Sequence, residues 1–178
     1  MRRLARILRS SEGTEIVEAA MVLPLVFMFL MGIVWFGRAF NIYSTITQAA
    51  QRGAVTAARP ACATCPAPVG GWNDFPGDDV VDNAIFSVMR ASSIDPSQII
   101  AAKAVTYPLC PAPAPSGGCA TTNKITVCRS VVLNAGTDPP QCGTIVSFEY
   151  PFQFFLPFTS LSMRQINLAA AGQSRMEN

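Results

Sequence analysis

Residues 16 to 37 read IVEAAMVLPLVFMFLMGIVWFG, 22 positions with a single charge at Glu18. A helix rises about 1.5 Å per residue, so about 20 such residues cross a ~30 Å hydrocarbon core. The run predicts one membrane-spanning helix over about 16–37. Its flanks set a direction. Arg2, Arg3, Arg6 and Arg9 precede it, opposed only by Glu12, whereas Arg38 stands alone just after it. That asymmetry places the N-terminus in the cytoplasm and the rest of the chain on the periplasmic or outer side. Trp35 and Phe36 fall where an interfacial aromatic belt sits, and Arg38 can snorkel from the outer end.

Working outward, the basic leader gives way to a chain that is not basic. Beyond residue 13 there are nine basic and ten acidic side chains, which leaves no footprint for nucleic acid. Histidine is absent. Ser-His-Asp and Cys-His catalysis and histidine zinc sites are thereby excluded. The expectation is a structural protein that is no enzyme, with no cofactor, no metal and no small-molecule substrate. Asp74, Asp78, Asp79 and Asp82 lack the alternating ligands of a calcium loop and read as capping or solvated residues.

Six cysteines, Cys62, Cys65, Cys110, Cys119, Cys128 and Cys142, all follow the apolar run. An even number on one side of a membrane segment implies an oxidising compartment and disulfides. Cys62-Ala-Thr-Cys65 has the spacing of a thiol redox pair, so a membrane-tethered oxidoreductase is a rival reading. Working redox pairs, however, sit at a helix N-terminus in a βαβ setting, and this one follows a helix end between Pro60 and Pro66. Six cysteines allow fifteen connectivities. The shortest closures join Cys62 to Cys65 and Cys110 to Cys119, leaving Cys128 for Cys142.

The helix should continue past the membrane. No proline occurs between Arg38 and Arg59, and Phe36, Phe40, Tyr43, Thr47, Ala50, Ala54 and Ala57 form a heptad-like stripe. Ala49, Ala50, Gly53, Ala54, Ala57 and Ala58 make its far half small-faced, which lets another backbone approach closely, and the stripe suits packing on the protein's own domain or on neighbouring subunits. Pro60 ends the helix. A loop over 60–78 leads to a short amphipathic helix with Asp78 or Asp79 as N-cap. Strands are expected over Gln98–Thr106, Lys124–Leu133, Thr144–Phe152 and Ser162–Gly172. The expected fold is α+β: a long N-terminal membrane-spanning helix packed at its outer end on an antiparallel sheet of about four strands, with a short second helix. The domains are a basic leader (1–13), the long helix (14–59) and an extracytoplasmic disulfide-bonded domain (60–178).

One constellation remains, SEGTEIVEAAMVLPL at residues 11–25. A carboxylate in a membrane helix costs up to about 2.5–3.5 kcal/mol, less near an end. Cleavage after Gly13 would make Thr14 a new N-terminal amine, one helical turn from Glu18. Amine and carboxylate could then neutralise each other within or between subunits. Pro24 leaves the Ala20 carbonyl without its usual donor and should kink or loosen the helix.

Gly13 to Ala20, then Leu23-Pro24-Leu25, Gly32, Gly37-Arg38-Ala39 and Gln48 to Ala54 together resemble the TadE-like family. These are pilin-like proteins of tight-adherence (type IVc, Flp-type) systems, and the resemblance runs over about residues 11–58. It implies a minor pilin, pseudopilin or assembly factor, with cleavage between Gly13 and Thr14 by a prepilin peptidase. It also implies partners among other pilin-like subunits, the Tad inner-membrane machinery and the lipid bilayer. The location it implies is the bacterial inner membrane, or the extracellular pilus after processing. Ala19 departs from the tyrosine that major pilins carry after the glutamate, and from the phenylalanine of many TadE proteins. That argues against a major pilin, as does the length.

Overall fold

The computed structural model describes residues 12–59, 75–111, 117–134, 136, 138–153 and 165–176. Apolar and small residues carry one helix, α1, from Glu12 to Ala58 (47 residues), straight through Pro24. It stops one residue before Arg59 and Pro60, as expected of a helix running into proline. The chain divides into two units, Met1–Phe40 and Asn41–Asn178.

In the first unit the described residues are all helical. Its large apolar side chains are exposed, from Ile16 at 72% through Met28 at 76% to Phe36 at 74%. A helix that is apolar on every side suits lipid rather than water. By length and composition it is the one described helix able to cross a membrane. The α+β class and the membrane-span candidate are as the sequence implied.

In the second unit, Thr45, Ile46, Ala49, Ala50, Gly53, Ala54, Ala57 and Ala58 of α1 are buried. Ala50, Ala54 and Ala57 of the predicted stripe lie on this face, while its earlier members Phe36, Phe40 and Tyr43 are exposed. Small side chains decide which arc is used, because they let α1 approach another backbone. A Cβ on Gly172 would collide with the backbone of Ala50, and one on Gly53 would lie 2.7 Å from the Ile85 side chain.

Helix α2 spans Asp78–Ala91 and buries Val81, Asp82, Ile85 and Met89. The expected aspartate N-cap is corrected: Gly77 is the N-cap, with no side-chain cap bond, and Asp78 and Asp79 lie in the first turn. There they complement the helix dipole. At the other end Ser93 takes a left-handed φ of 58°. The Ile94 amide donates to Met89 O at 2.9 Å and the Ser93 amide to Arg90 O at 3.0 Å, a Schellman closure.

Four strands follow: β1 (Gly118–Thr122), β2 (Ile125–Val132), β3 (Cys142–Phe152) and β4 (Ile166–Arg175). They form one antiparallel sheet in the order β1-β2-β3-β4. Ile125, Val127, Val146, Phe148 and Tyr150 meet α1 and α2 in the main core. A second cluster joins Cys128, Val131 and Ile145 to Tyr107 and Leu133. A bulge between Cys128 and Val131, with Ser130 at φ 54°, lets β2 feed both clusters.

Two strand expectations need correction. Residues 98–106 form no sheet strand; a 3-10 turn, Pro96–Gln98, precedes an extended stretch held by isolated bridges, Ile100 to Glu149 and Leu109 to Val131. Its place is already taken, because β2 and β4 flank β3 and leave Glu149 as the contact point. The first strand is instead Gly118–Thr122. It pairs through a two-residue hairpin whose central residues, Asn123 and Lys124, both have positive φ (48° and 68°), the signature of a type I′ turn. The last strand runs to Arg175 rather than stopping at Gly172, since Gly172 serves as a close-contact point.

Candidate functional site

Among the described residues two places carry candidate chemistry, the start of α1 and the bonds that fix the sheet. Gly13, Thr14 and Glu18 all lie within helix α1. Glu15 and Glu18 are exposed. The four-residue interval sets Thr14 and Glu18 one turn apart on the same side of the helix. Glu15 is a second carboxylate beside that boundary, present in the sequence but overshadowed by Glu18. Pro24 sits within an unbroken helical assignment.

Farther along, the Arg38 guanidinium stands over the Trp35 ring, 5.7 Å from its centroid. This cation–π contact holds a charge against an aromatic at the end of the apolar run. On the same stretch Gly32 leaves a shallow apolar groove bordered by Leu25, Met28, Phe29, Ile33 and Phe36. Among the described residues, nothing beyond the helix's own neighbouring backbone lies within 4 Å of a Cβ built on Gly32 or Gly37, so packing against those residues requires neither glycine.

Two disulfides staple the second unit: Cys110–Cys142 and Cys119–Cys128. The shortest-closure pairing of Cys110 with Cys119 and of Cys128 with Cys142 is therefore corrected. Sheet register explains the difference. Cys119 and Cys128 are direct cross-strand partners, with Cα atoms 3.9 Å apart. Residues 108–110 pair with β2, the Cys110 amide donating to Ser130 O at 2.9 Å, while Cys142 pairs with Val132 on the same strand. Cys62 and Cys65 lie outside the described residues.

The aspartates act within the fold. Asp78 forms an ion pair with Arg129 at 2.7 Å and accepts a bond from the Thr122 hydroxyl at 3.1 Å. A second Arg129 nitrogen donates to Pro76 O at 2.9 Å. Asp82, 2% exposed, accepts from the Asn123 amide at 2.8 Å, while its Oδ1 has no hydrogen-bond partner. Burial raises its pKa, the Asn123 bond opposes that, and the charges of Asp78 and Asp79 add to it. Together these bonds tie α2 to the β1–β2 hairpin. Among the described residues no group of three or more His, Cys, Asp or Glu is placed to hold a metal ion.

No curated protein and no solved structure matches the chain. A family model does. Residues 13–55, which take in Gly13, Glu18, the whole apolar run and most of the buried arc of α1, are similar to the family described as TadE-like protein.

Proposed function

We propose that this chain is a pilin-like minor subunit or pseudopilin that serves the assembly of a Tad (type IVc, Flp-type) pilus by helix packing. The observation that carries the reading is the TadE-like match over residues 13–55 on a helix whose apolar side chains are exposed. The precursor is held in the inner membrane with residues beyond the span in the periplasm. A prepilin peptidase cuts between Gly13 and Thr14. The new Thr14 amine and the Glu18 carboxylate then compensate each other's charge, within a subunit or between neighbours, where water is scarce. Partners are other pilin-like subunits and the Tad inner-membrane machinery. The work is protein–protein and protein–lipid packing, which requires neither turnover nor a cofactor.

N-terminal sequencing of the mature protein from the native membrane tests the processing step. A sequence starting at Thr14 is the expected result. A retained Met1 would instead make the chain a permanent anchor for pilus assembly. Mass spectrometry of purified pili then separates a filament subunit from a factor that stays behind. Replacing Cys62 and Cys65 by serine tests the oxidoreductase alternative: the structural reading expects piliation to persist, with at most a loss of stability.

A further inference from the structure

The two edge strands of the sheet, β1 and β4, carry main-chain groups that point away from it. Gln51 of α1 reveals which backbone groups of β4 point away from the sheet. Its side-chain amide donates to Gln173 O at 2.9 Å and accepts from the Gln173 amide at 3.3 Å. Antiparallel pairing alternates, so Asn167, Ala169 and Ala171 also direct their N–H and C=O outward. The other side of β3 confirms this phase: Glu149, the partner of Ala169, exchanges both of its backbone bonds with Ile100 on the far side. Asn167, Ala169 and Ala171 are exposed. No described residue bonds their main-chain groups.

Edge strands are usually blunted by charge, proline or a bulge. From Ile166 to Ser174 β4 has none of these; its only charged residue is the terminal Arg175. Gln51 occupies the position beyond Ala171 and so marks where an added strand would end. The opposite edge, β1, is uncharged and exposed along its whole length. There the two-residue turn makes Thr122 and Ile125 a hydrogen-bonded pair, so Cys119 and Thr121 face outward.

Strand direction supplies the complementarity. In an antiparallel sheet of four strands the first and last run in opposite directions. Two copies side by side in the same orientation therefore bring β1 of one against β4 of the other as an antiparallel pair. Copies anchored in one bilayer by the same segment point the same way along its normal, and neighbours turned alike about that normal meet in this relation. We propose that the β4 edge at Asn167, Ala169 and Ala171 accepts β1 of a second copy of this chain, through main-chain bonds to Cys119 and Thr121. The contact is heterologous, so it propagates in a row rather than closing as a two-fold pair. It rests on the membrane-anchored, pilin-like reading for the common orientation.

The test uses the full-length protein in its own membrane, with a photo-crosslinking amino acid at Asn167 and a second, differently tagged copy. The expected result is a crosslink between copies that maps to residues 118–122. Ala169→Pro removes an outward N–H and leaves the β3 ladder its bonds; it should abolish the crosslink while both disulfides still resist alkylation. If Ala169→Pro fails that folding control, Thr121→Pro on the donor copy replaces it, and the wild-type crosslink map stands without either. A crosslink to β4 of the second copy, to another protein, or to the same chain alone would overturn the proposal. N-terminal sequencing on the same sample reads Thr14 or Met1 independently, so the edge contact and the pilin-like reading can fail separately.

Discussion

Gly172 of β4 lies directly against the backbone of Ala50 on α1, with no space for a Cβ between them. The contact lets α1 lie close against the sheet, and it explains why alanine and glycine fill that part of the helix. Gly172→Ala should therefore destabilise the domain by about 1–3 kcal/mol through overpacking. Gly32→Ala meets no described atom beyond the helix's own neighbouring backbone and should be neutral or slightly favourable to the helix. Thermal unfolding of the full chain in detergent compares the two; equal effects would contradict the close contact.

The antiparallel sheet, the extent of α1 and the apolar core of α2 were legible because each rests on a period: two for strands, 3.6 for helices. Val81, Ile85 and Met89 sit inward as their spacing required. What stayed hidden was set by relations between distant residues. The disulfide pairing depends on cross-strand register, which brings Cys119 opposite Cys128. β1 carries no large apolar side chain, so hydrophobic alternation could not mark it; only the positive φ of Asn123 and Lys124 closes that hairpin. On α1 the small residues Ala49, Ala50 and Gly53 marked the half of the helix that allows close approach, and they are buried, whereas Phe36, Phe40 and Tyr43, which look like core residues, are exposed. At the start of α1, Gly13 and Glu18 were singled out by spacing and charge alone, and their role in processing belongs to the proposal.

The disulfides should differ in strength. Cys110–Cys142 closes a separation of 32 residues and Cys119–Cys128 one of 9. On the chain-entropy model the first contributes about 4 kcal/mol and the second about 3 kcal/mol. Peptide mapping without reduction should recover both pairs. Double serine replacement at Cys110 and Cys142 should lower the unfolding midpoint more than replacement at Cys119 and Cys128. The reverse order would place the stabilisation in native contacts rather than in the unfolded chain.

Asp82 and Asp95 should impose opposite pH dependences. Burial raises the Asp82 pKa above 3.8, so its charged form is disfavoured in the fold. Its penalty is present at neutral pH and relieved as pH falls through the raised value. The Asp95 pKa is lowered, first by the Ser97 amide and then by the Ser97 hydroxyl. Its contribution is present above 3.8 and lost as pH falls through the lowered value. Asp82→Asn should be neutral or stabilising at pH 7, and its advantage over the parent should shrink towards pH 4. Asp95→Asn should show its deficit at neutral pH and lose it in acid. Urea unfolding at several pH values reads both differences.

The exposed aromatics of α1 separate folding from assembly. Ile46 is fully buried in the core, and Ile46→Ala should cost about 2–5 kcal/mol. Phe40 lies less than two turns earlier yet is 72% exposed, so Phe40→Ala should change the stability of the isolated protein by less than about 0.5 kcal/mol. Phe40 and Tyr43, continuing the line of Phe36 past Arg38, are a phenylalanine and a tyrosine that lie exposed. If the helix works by joining its neighbours, Phe40→Ala and Tyr43→Ala should reduce piliation and co-purification of other subunits while leaving the unfolding midpoint in place. A fall in midpoint comparable to that of Ile46→Ala would return the stripe to the domain's own core. Unchanged piliation in both variants would leave α1 a membrane anchor whose assembly contacts lie elsewhere on the chain.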